Sequence, residues 1–253
     1  MKKIFASDYD GTLYLNETVS RTDLEAINDL RGKGHYFGLC SGRHLDSLLE
    51  EVDRYEIPFD FLVGNNGSAI MNQSREVLKI HTMDLENVIA LREFFRKELS
   101  LEVYFLAVNN GFTFGNEIYQ TGSTFMLNHT KTFDEFLSDN VSILFSEAID
   151  PRNTQAIVKK LQERFPHLYI FNNQPFIDIT QEYVVKTNGL KHIADYFKVS
   201  YSSVSVIGDS YNDIQMIQAF DGYVMRSGEK PIKKASTKHV NSVSEAIEDV
   251  LKD

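Results

Sequence analysis

Apolar residues along this chain follow a strand–helix rhythm at both ends and a different one in the middle. Lys3 to Ser7 is a short apolar run closed by polar residues, the pattern of a strand buried in a parallel sheet. Ser20 stands three residues before Asp23, a capping-box-like helix start, and Leu24, Ile27 and Leu30 form a helical stripe that Gly32 and Gly34 end. His35 to Cys40 predicts a second strand. Leu45, Leu48, Leu49 and Val52 predict a second helix, stopped before Pro58, and Phe59 to Val63 a third strand. This order argues for a parallel sheet with helices on its faces.

From Asn65 the rhythm changes. Ser68 to Met71 and Glu76 to His81 read as a hairpin around Asn72 to Ser74. A helix is predicted from about Asp84 to Leu99, then strands over Leu101 to Val108 and Phe112 to Gly115 with an Asn-Asn-Gly turn between them. Asp150-Pro151 starts another helix, which ends near Phe165-Pro166. Tyr169 to Phe171 and Phe176 to Ile179 make a further antiparallel pair. After Glu182 the alternation returns: a helix over Thr187 to Phe197, an apolar strand over Ser203 to Ile207, a helix over Ile214 to Ala219, a strand near Tyr223 to Met225, and two more helices. The reading is an α/β core built from 1–81 and 182–253, interrupted by an α+β insert over 82–181, an ordinary domain size.

Composition narrows the classes of partner. Lys and Arg number 26 against 36 Asp and Glu, a net charge of −10 over 253 residues. Nucleic acid and anionic membranes are disfavoured by that field, whereas a small anion held by a local cation is compatible with it. The single cysteine, Cys40, allows no intramolecular disulfide and fits a reducing, cytoplasmic setting. Cys40 itself reads as a core residue. Met-Lys-Lys-Ile-Phe resembles the start of a signal peptide, but Asp8 and Asp10 interrupt any apolar region, and no window is long enough to span a membrane. No histidine pair has the i, i+4 spacing of a zinc site.

Four polar elements carry candidate chemistry. Asp8-Tyr9-Asp10-Gly11-Thr12 follows the first strand, where open α/β sheets bind ligands. Gly208-Asp209-Ser210-Tyr211-Asn212-Asp213 follows the apolar strand over Ser203 to Ile207. Each alone is equally an acidic turn capping a helix. On adjacent strands they would gather Asp8, Asp10, Asp209 and Asp213, which would repel one another without a cation. Ser41-Gly42-Arg43 ends the second strand and is either a phosphate cradle at a helix start or a simple Ser cap. Lys186 opens a helix against its dipole and is either a site residue or a solvated surface lysine.

Together, in this order and around a large insert, these elements resemble the haloacid dehalogenase-like hydrolases, and within them the Cof-type (type IIB cap) phosphatases. Asp8-x-Asp10-Gly11-Thr12, Ser41-Gly42-Arg43, Lys186 with Gly189-Leu190, and Gly208 to Asp213 match the family's motifs, and Asn65-Asn66-Gly67-Ser68-Ala69-Ile70 resembles its Asn-Gly segment. Thr187 replaces a family glycine, and Met225-Arg226-Ser227-Gly228 stands where relatives often carry Met-Gly-Asn-Ala. The resemblance implies a Rossmann-like parallel-sheet core with an inserted α+β cap domain. It implies Mg²⁺-dependent hydrolysis of a small phosphorylated metabolite, a sugar phosphate or phosphorylated cofactor, through an aspartyl-phosphate. Asp8 would be the nucleophile and Asp10 the general acid and base. Asp8, the Asp10 backbone carbonyl and Asp209 would hold Mg²⁺, with Asp213 a direct or supporting partner. Ser41, Gly42, Lys186 and Asn212 would hold the phosphoryl group. A phosphohexomutase and a non-catalytic phosphometabolite-binding regulator are the alternatives, in a monomer or weak homo-oligomer. The cluster Tyr104, Phe105, Phe112 and Phe114 reads as hairpin core or as a cap surface facing the leaving group.

Overall fold

A computed structural model describes residues 1–99, 104–109, 112–116, 130–131, 141–147, 153–173, 176–228 and 230–252. The chain begins with β1 (Ile4–Ser7), a small antiparallel ribbon of β2 (Tyr14–Leu15) and β3 (Thr18–Val19), and helix α1 (Arg21–Gly32). Ser20 caps α1 by accepting from the Asp23 amide at 3.0 Å. β4 (Tyr36–Cys40), α2 (Leu45–Tyr55), β5 (Phe61–Gly64) and the hairpin β6 (Ala69–Asn72) with β7 (Val77–Ile80) follow.

The middle of the chain supplies α3 (Leu85–Phe94), β8 (Tyr104–Asn109), β9 (Phe112–Asn116), β10 (Thr130–Lys131), β11 (Val141–Glu147), α4 (Thr154–Arg164), β12 (Tyr169–Asn173) and β13 (Phe176–Thr180). The last part holds α5 (Lys186–Phe197), β14 (Val204–Gly208), α6 (Ile214–Ala219), β15 (Asp221–Met225), β16 (Lys238–Val240) and α7 (Val243–Val250).

Two larger sheets result. The first has eight strands in the order β16-β15-β14-β1-β4-β5-β6-β7, parallel from β16 to β5 and closed by the antiparallel β6–β7 hairpin. Its central strands β1, β5 and β14 are buried along their whole length because both faces are covered. Phe5 faces a cluster with α1, α2 and α7, while Ile4 and Ala6 face α5 and α6 across the sheet. The second sheet has the order β10-β9-β8-β11-β13-β12. It carries its own apolar cluster, in which Ile177 and Ile179 of β13 pack with α3 and α4. The two passages between the sheets, residues 81–84 and 181–185, are tied together. Gln181 donates to Asp84 Oδ2 at 2.8 Å and accepts from the Asp84 amide at 3.2 Å.

The α/β architecture with an inserted α+β lobe agrees with the pattern of the sequence. The C-terminal end differs from it. In place of two helices, the stretch after β15 holds a short 3₁₀ turn (Ile232–Lys234), the edge strand β16 and then one α-helix, α7. β16 buries only Val240 fully, so three residues of mostly polar sequence carry no readable alternation. The β2–β3 ribbon, two residues on each side, is likewise below what periodicity detects. The Asn-Asn-Gly turn, the Asp150-Pro151 helix start and the side chains of Tyr104, Phe105, Phe112 and Phe114 lie outside the described residues. Among the described residues, no helix is long and apolar enough to cross a membrane.

Candidate active site

β14, β1 and β4 are consecutive parallel strands, so the loops that leave their carboxyl ends share one rim of the sheet. The Asp8 amide continues the ladder by donating to the Ile207 carbonyl at 2.9 Å. Asp8 thereby converges with Asp209 and Asp213, which are distant from it in sequence: one carboxylate oxygen from each lies within 4.8 Å of the others. The loop after β1 turns back through Gly11 at φ +79°, where a Cβ would stand 2.4 Å from Asp209 Oδ2. A glycine is needed there both for the left-handed backbone and for the approach of that carboxylate. Thr12 then donates its hydroxyl to Asp209 Oδ1 at 2.8 Å.

Lys186 reaches this cluster from the first position of α5. Its Nζ lies 2.7 Å from Asp8 Oδ1 and 2.6 Å from Asp213 Oδ1, and the side chain is only 1% exposed. The helix start can come this close because Gly67, at φ +106°, presents no Cβ to the Val185 carbonyl. Asp213 is further held through Oδ2 by the amides of Asp209 and Ser210, each at 3.1 Å.

The electrostatics are those of an acidic cluster short of positive charge. Burial, then the neighbouring Asp213 carboxylate, push Asp209 up to about 6. Burial also holds Asp8 well above the usual carboxylate range, although Lys186 pulls in the opposite direction. For Lys186, burial works against the ammonium, but Asp213 and Asp8 outweigh it and hold the group above its ordinary value.

The other residues expected at the site divide. Ser41 is buried at the end of β4, its Oγ accepting from the Arg43 amide at 3.2 Å. Gly42 lies beside two amide side chains: a Cβ on it would meet Asn66 Oδ1 at 3.2 Å and Asn212 Nδ2 at 3.6 Å. The Asp10 carboxylate forms a two-pronged ion pair with Arg43, both contacts at 2.7 Å. Arg43 is anchored by Glu51 at 3.4 Å, by the Ser47 hydroxyl at 3.3 Å and by the face of Tyr9, whose hydroxyl donates to Glu51. Cys40 is buried core, with burial raising its thiol far out of the reactive range.

Two contributors escaped the sequence. Asn66 is fully buried at φ +53° and hydrogen-bonded to Asn212, although its segment showed only a motif likeness. Asp178, buried on β13 of the second sheet, accepts from Asn66 Nδ2 at 3.1 Å. A lone acid between Ile177 and Ile179 in a strand was the available signal, since Asp is a poor strand former.

Comparisons with known proteins place this geometry. A family model described as haloacid dehalogenase-like hydrolase matches residues 5–251. A Buchnera aphidicola protein named "Putative phosphatase BU028/BU029" is 26% identical, with 93% of this chain and 89% of that protein covered. A Bacillus subtilis protein named "5-amino-6-(5-phospho-D-ribitylamino)uracil phosphatase YcsE" is 23% identical, covering 92% of this chain and 88% of its own. The solved structure of the subclass IIB sugar phosphatase BT4131 superposes with a TM-score of 0.80 at 20% identity, covering 98% of each chain, which shows the shared fold. With nearly its whole length matched and its motif residues meeting on one rim of the sheet, the chain belongs to the haloacid dehalogenase-like hydrolase family.

Proposed function

We propose that the protein is a Mg²⁺-dependent phosphatase that hydrolyses a small phosphorylated metabolite through an aspartyl-phosphate on Asp8. The observation that carries the reading is the buried cluster in which Lys186 bridges Asp8 and Asp213 while Asp209 stands alongside. Three carboxylates against one ammonium leave two negative charges, and a single divalent ion cancels them. The donors are hard carboxylate oxygens, the set Mg²⁺ takes. Asp8, Asp209 and the Asp10 backbone carbonyl would hold the ion, with Asp213 supporting. When bound, it would neutralise the cluster and polarise a phosphoryl oxygen.

This chain's own residues perform the rest. A carboxylate oxygen of Asp8 forms a bond to phosphorus as the bond to the leaving oxygen breaks. Asp10 delivers the proton that the leaving oxygen takes up, then removes one from the water that opens the acyl phosphate. For that, Asp10 must exchange its Arg43 contact for the substrate. Lys186, Ser41, the Gly42 amide and Asn212 hold the transferring oxygens, and this kind of transfer depends mainly on such positioning and charge compensation. We assign residues 82–181 as the cap and 1–81 with 182–253 as the catalytic core. Two of the proteins named above are named for their substrates, a phosphorylated ribitylaminouracil and sugar phosphates. Both fit a substrate with a polar, hydroxyl-rich leaving group.

The test is release of phosphate from p-nitrophenyl phosphate and from a panel of sugar phosphates, with Mg²⁺ and with EDTA. Metal-dependent turnover that Asp8→Asn abolishes is the expected result. Turnover that persists in Asp8→Asn would exclude the covalent route.

A further inference from the structure

Among the described residues, a buried acid of the second sheet is hydrogen-bonded to a side chain beside Gly42. β13 alternates: Ile177 and Ile179 point into the apolar cluster of the second sheet, so Asp178 projects from the opposite face. There it is 7% exposed and accepts from Asn66 Nδ2 at 3.1 Å. Asn66 in turn accepts, through Oδ1, from Asn212 Nδ2 at 3.0 Å. Both amides lie beside Gly42.

Direction matters in this chain. An asparagine amide has one donating and one accepting end and can sit either way round. A carboxylate only accepts. Asp178 therefore compels Asn66 to turn its NH₂ toward the cap and its oxygen toward Asn212. Asn212 must then donate one N–H of its NH₂ to Asn66, which leaves the second N–H of that same NH₂ as the donor for a phosphoryl oxygen. Asn66 is held for this task in a left-handed backbone conformation and is fully buried.

We infer that Asp178 is a positioning residue that links the seating of the cap to phosphate binding, by fixing the amide orientations of Asn66 and Asn212. This rests on the phosphatase reading and on Asn212 as a phosphoryl contact. With the cap seated, the amide chain is ordered. With the cap withdrawn, Asn66 loses its acceptor and both amides can turn.

The experiment is a double-mutant cycle on the full chain with Mg²⁺ present, reading the inhibition constant of inorganic phosphate against p-nitrophenyl phosphate hydrolysis. Asp178→Ala and Asn212→Ala should each weaken phosphate binding by about tenfold, the scale of one charge-directed hydrogen bond. The double variant should be no weaker than about tenfold, because both changes remove the same contact, whereas independent sites would multiply to about a hundredfold. Asp178→Asn keeps the size and an acceptor but not the compulsion, and should fall between wild type and Asp178→Ala; it carries the cycle if the alanine variant does not fold. A purely structural role would lower the melting temperature and leave the phosphate constant unmoved. Multiplying effects, or wild-type phosphate binding in Asp178→Ala, would overturn the inference while leaving the phosphatase reading intact. A wild type that neither hydrolyses phosphate esters nor binds phosphate would overturn both.

Discussion

Replacing Lys186 with methionine is the sharpest perturbation the site allows. The two side chains are similar in length, so packing is nearly kept while the charge goes. Lys186 is buried against Asp8 and Asp213 at 2.7 and 2.6 Å, both of them also buried. Removing one partner of a buried ion pair costs ~3–5 kcal/mol, because the remaining charge is left uncompensated. Here two carboxylates are left, so the upper part of that range applies. Against a total stability of ~5–15 kcal/mol the loss is large. Urea unfolding of Lys186→Met at pH 8 in EDTA should show a midpoint lowered by ~1.3–2.5 M, taking a slope of ~2–3 kcal/mol/M. Two controls identify the cause. Mg²⁺ at a hundred times its dissociation constant should return ~2.7 kcal/mol, as the proposed metal site, formed only in the folded chain, requires. Lowering the pH should also shrink the deficit, because burial already favours a protonated Asp8. An unchanged midpoint in EDTA at pH 8 would show that Lys186 does not balance these carboxylates, and the proposed charge compensation would fall with it.

Three further outcomes can be checked with the same protein. Asp8→Asn should abolish turnover yet unfold no earlier than wild type in EDTA, because it removes a carboxylate that burial disfavours; early unfolding would contradict that. Burial, then Arg43, push His44 down to about 4 from an ordinary 6.5, so the folded state refuses a proton that the unfolded chain accepts. That contribution is whole above pH 6.5 and is lost as the pH falls toward 4, ~3 kcal/mol in all. His44→Asn keeps an oxygen to cap α2, where His44 now accepts from the Ser47 amide, and its acid unfolding curve should be shallower than wild type over that window. Equal slopes would refute the assignment. Gly11→Ala forces a left-handed alanine, ~1–2 kcal/mol, and drives a methyl into Asp209, so activity should need more Mg²⁺; an unshifted metal titration would refute it.

Much of the fold was legible because its strands are short, apolar and closed by polar loops, and its helices carry regular stripes. The acidic loops could be found for the same reason: each begins where an apolar strand stops. Convergence of Asp8, Asp209 and Asp213 was readable only on the assumption that their strands are neighbours, which the β14–β1 pairing supplies. What stayed hidden depends on side-chain direction. Nothing in the sequence says that the Asp10 carboxylate goes to Arg43, or that Tyr9 and Glu51 support that arginine. Glu51, on α2, meets the loop after β1 through the Tyr9 hydroxyl, a contact that no spacing in the sequence announces. β16 stayed hidden for a different reason: a three-residue edge strand is specified by the neighbour it pairs with rather than by its own pattern.

On the proposed phosphatase reading, the charge arrangement also predicts an order of events. The chain is acidic overall, and the two cations that the site residues contribute are already engaged, Lys186 by Asp8 and Asp213, Arg43 by Asp10. An arriving phosphate dianion would therefore meet a negative field until a divalent ion enters. In the proposed mechanism, metal therefore comes first. Thermal unfolding reads this directly: inorganic phosphate should raise the melting temperature in the presence of Mg²⁺ and leave it unchanged in EDTA. The size of the rise should follow the phosphate concentration, as expected of a ligand that binds only the folded, metal-loaded protein. Equal protection by phosphate in EDTA would mean that Lys186 and the Ser41–Gly42 loop bind the anion unaided, and that the ion's part lies in the later chemistry rather than in admitting the substrate.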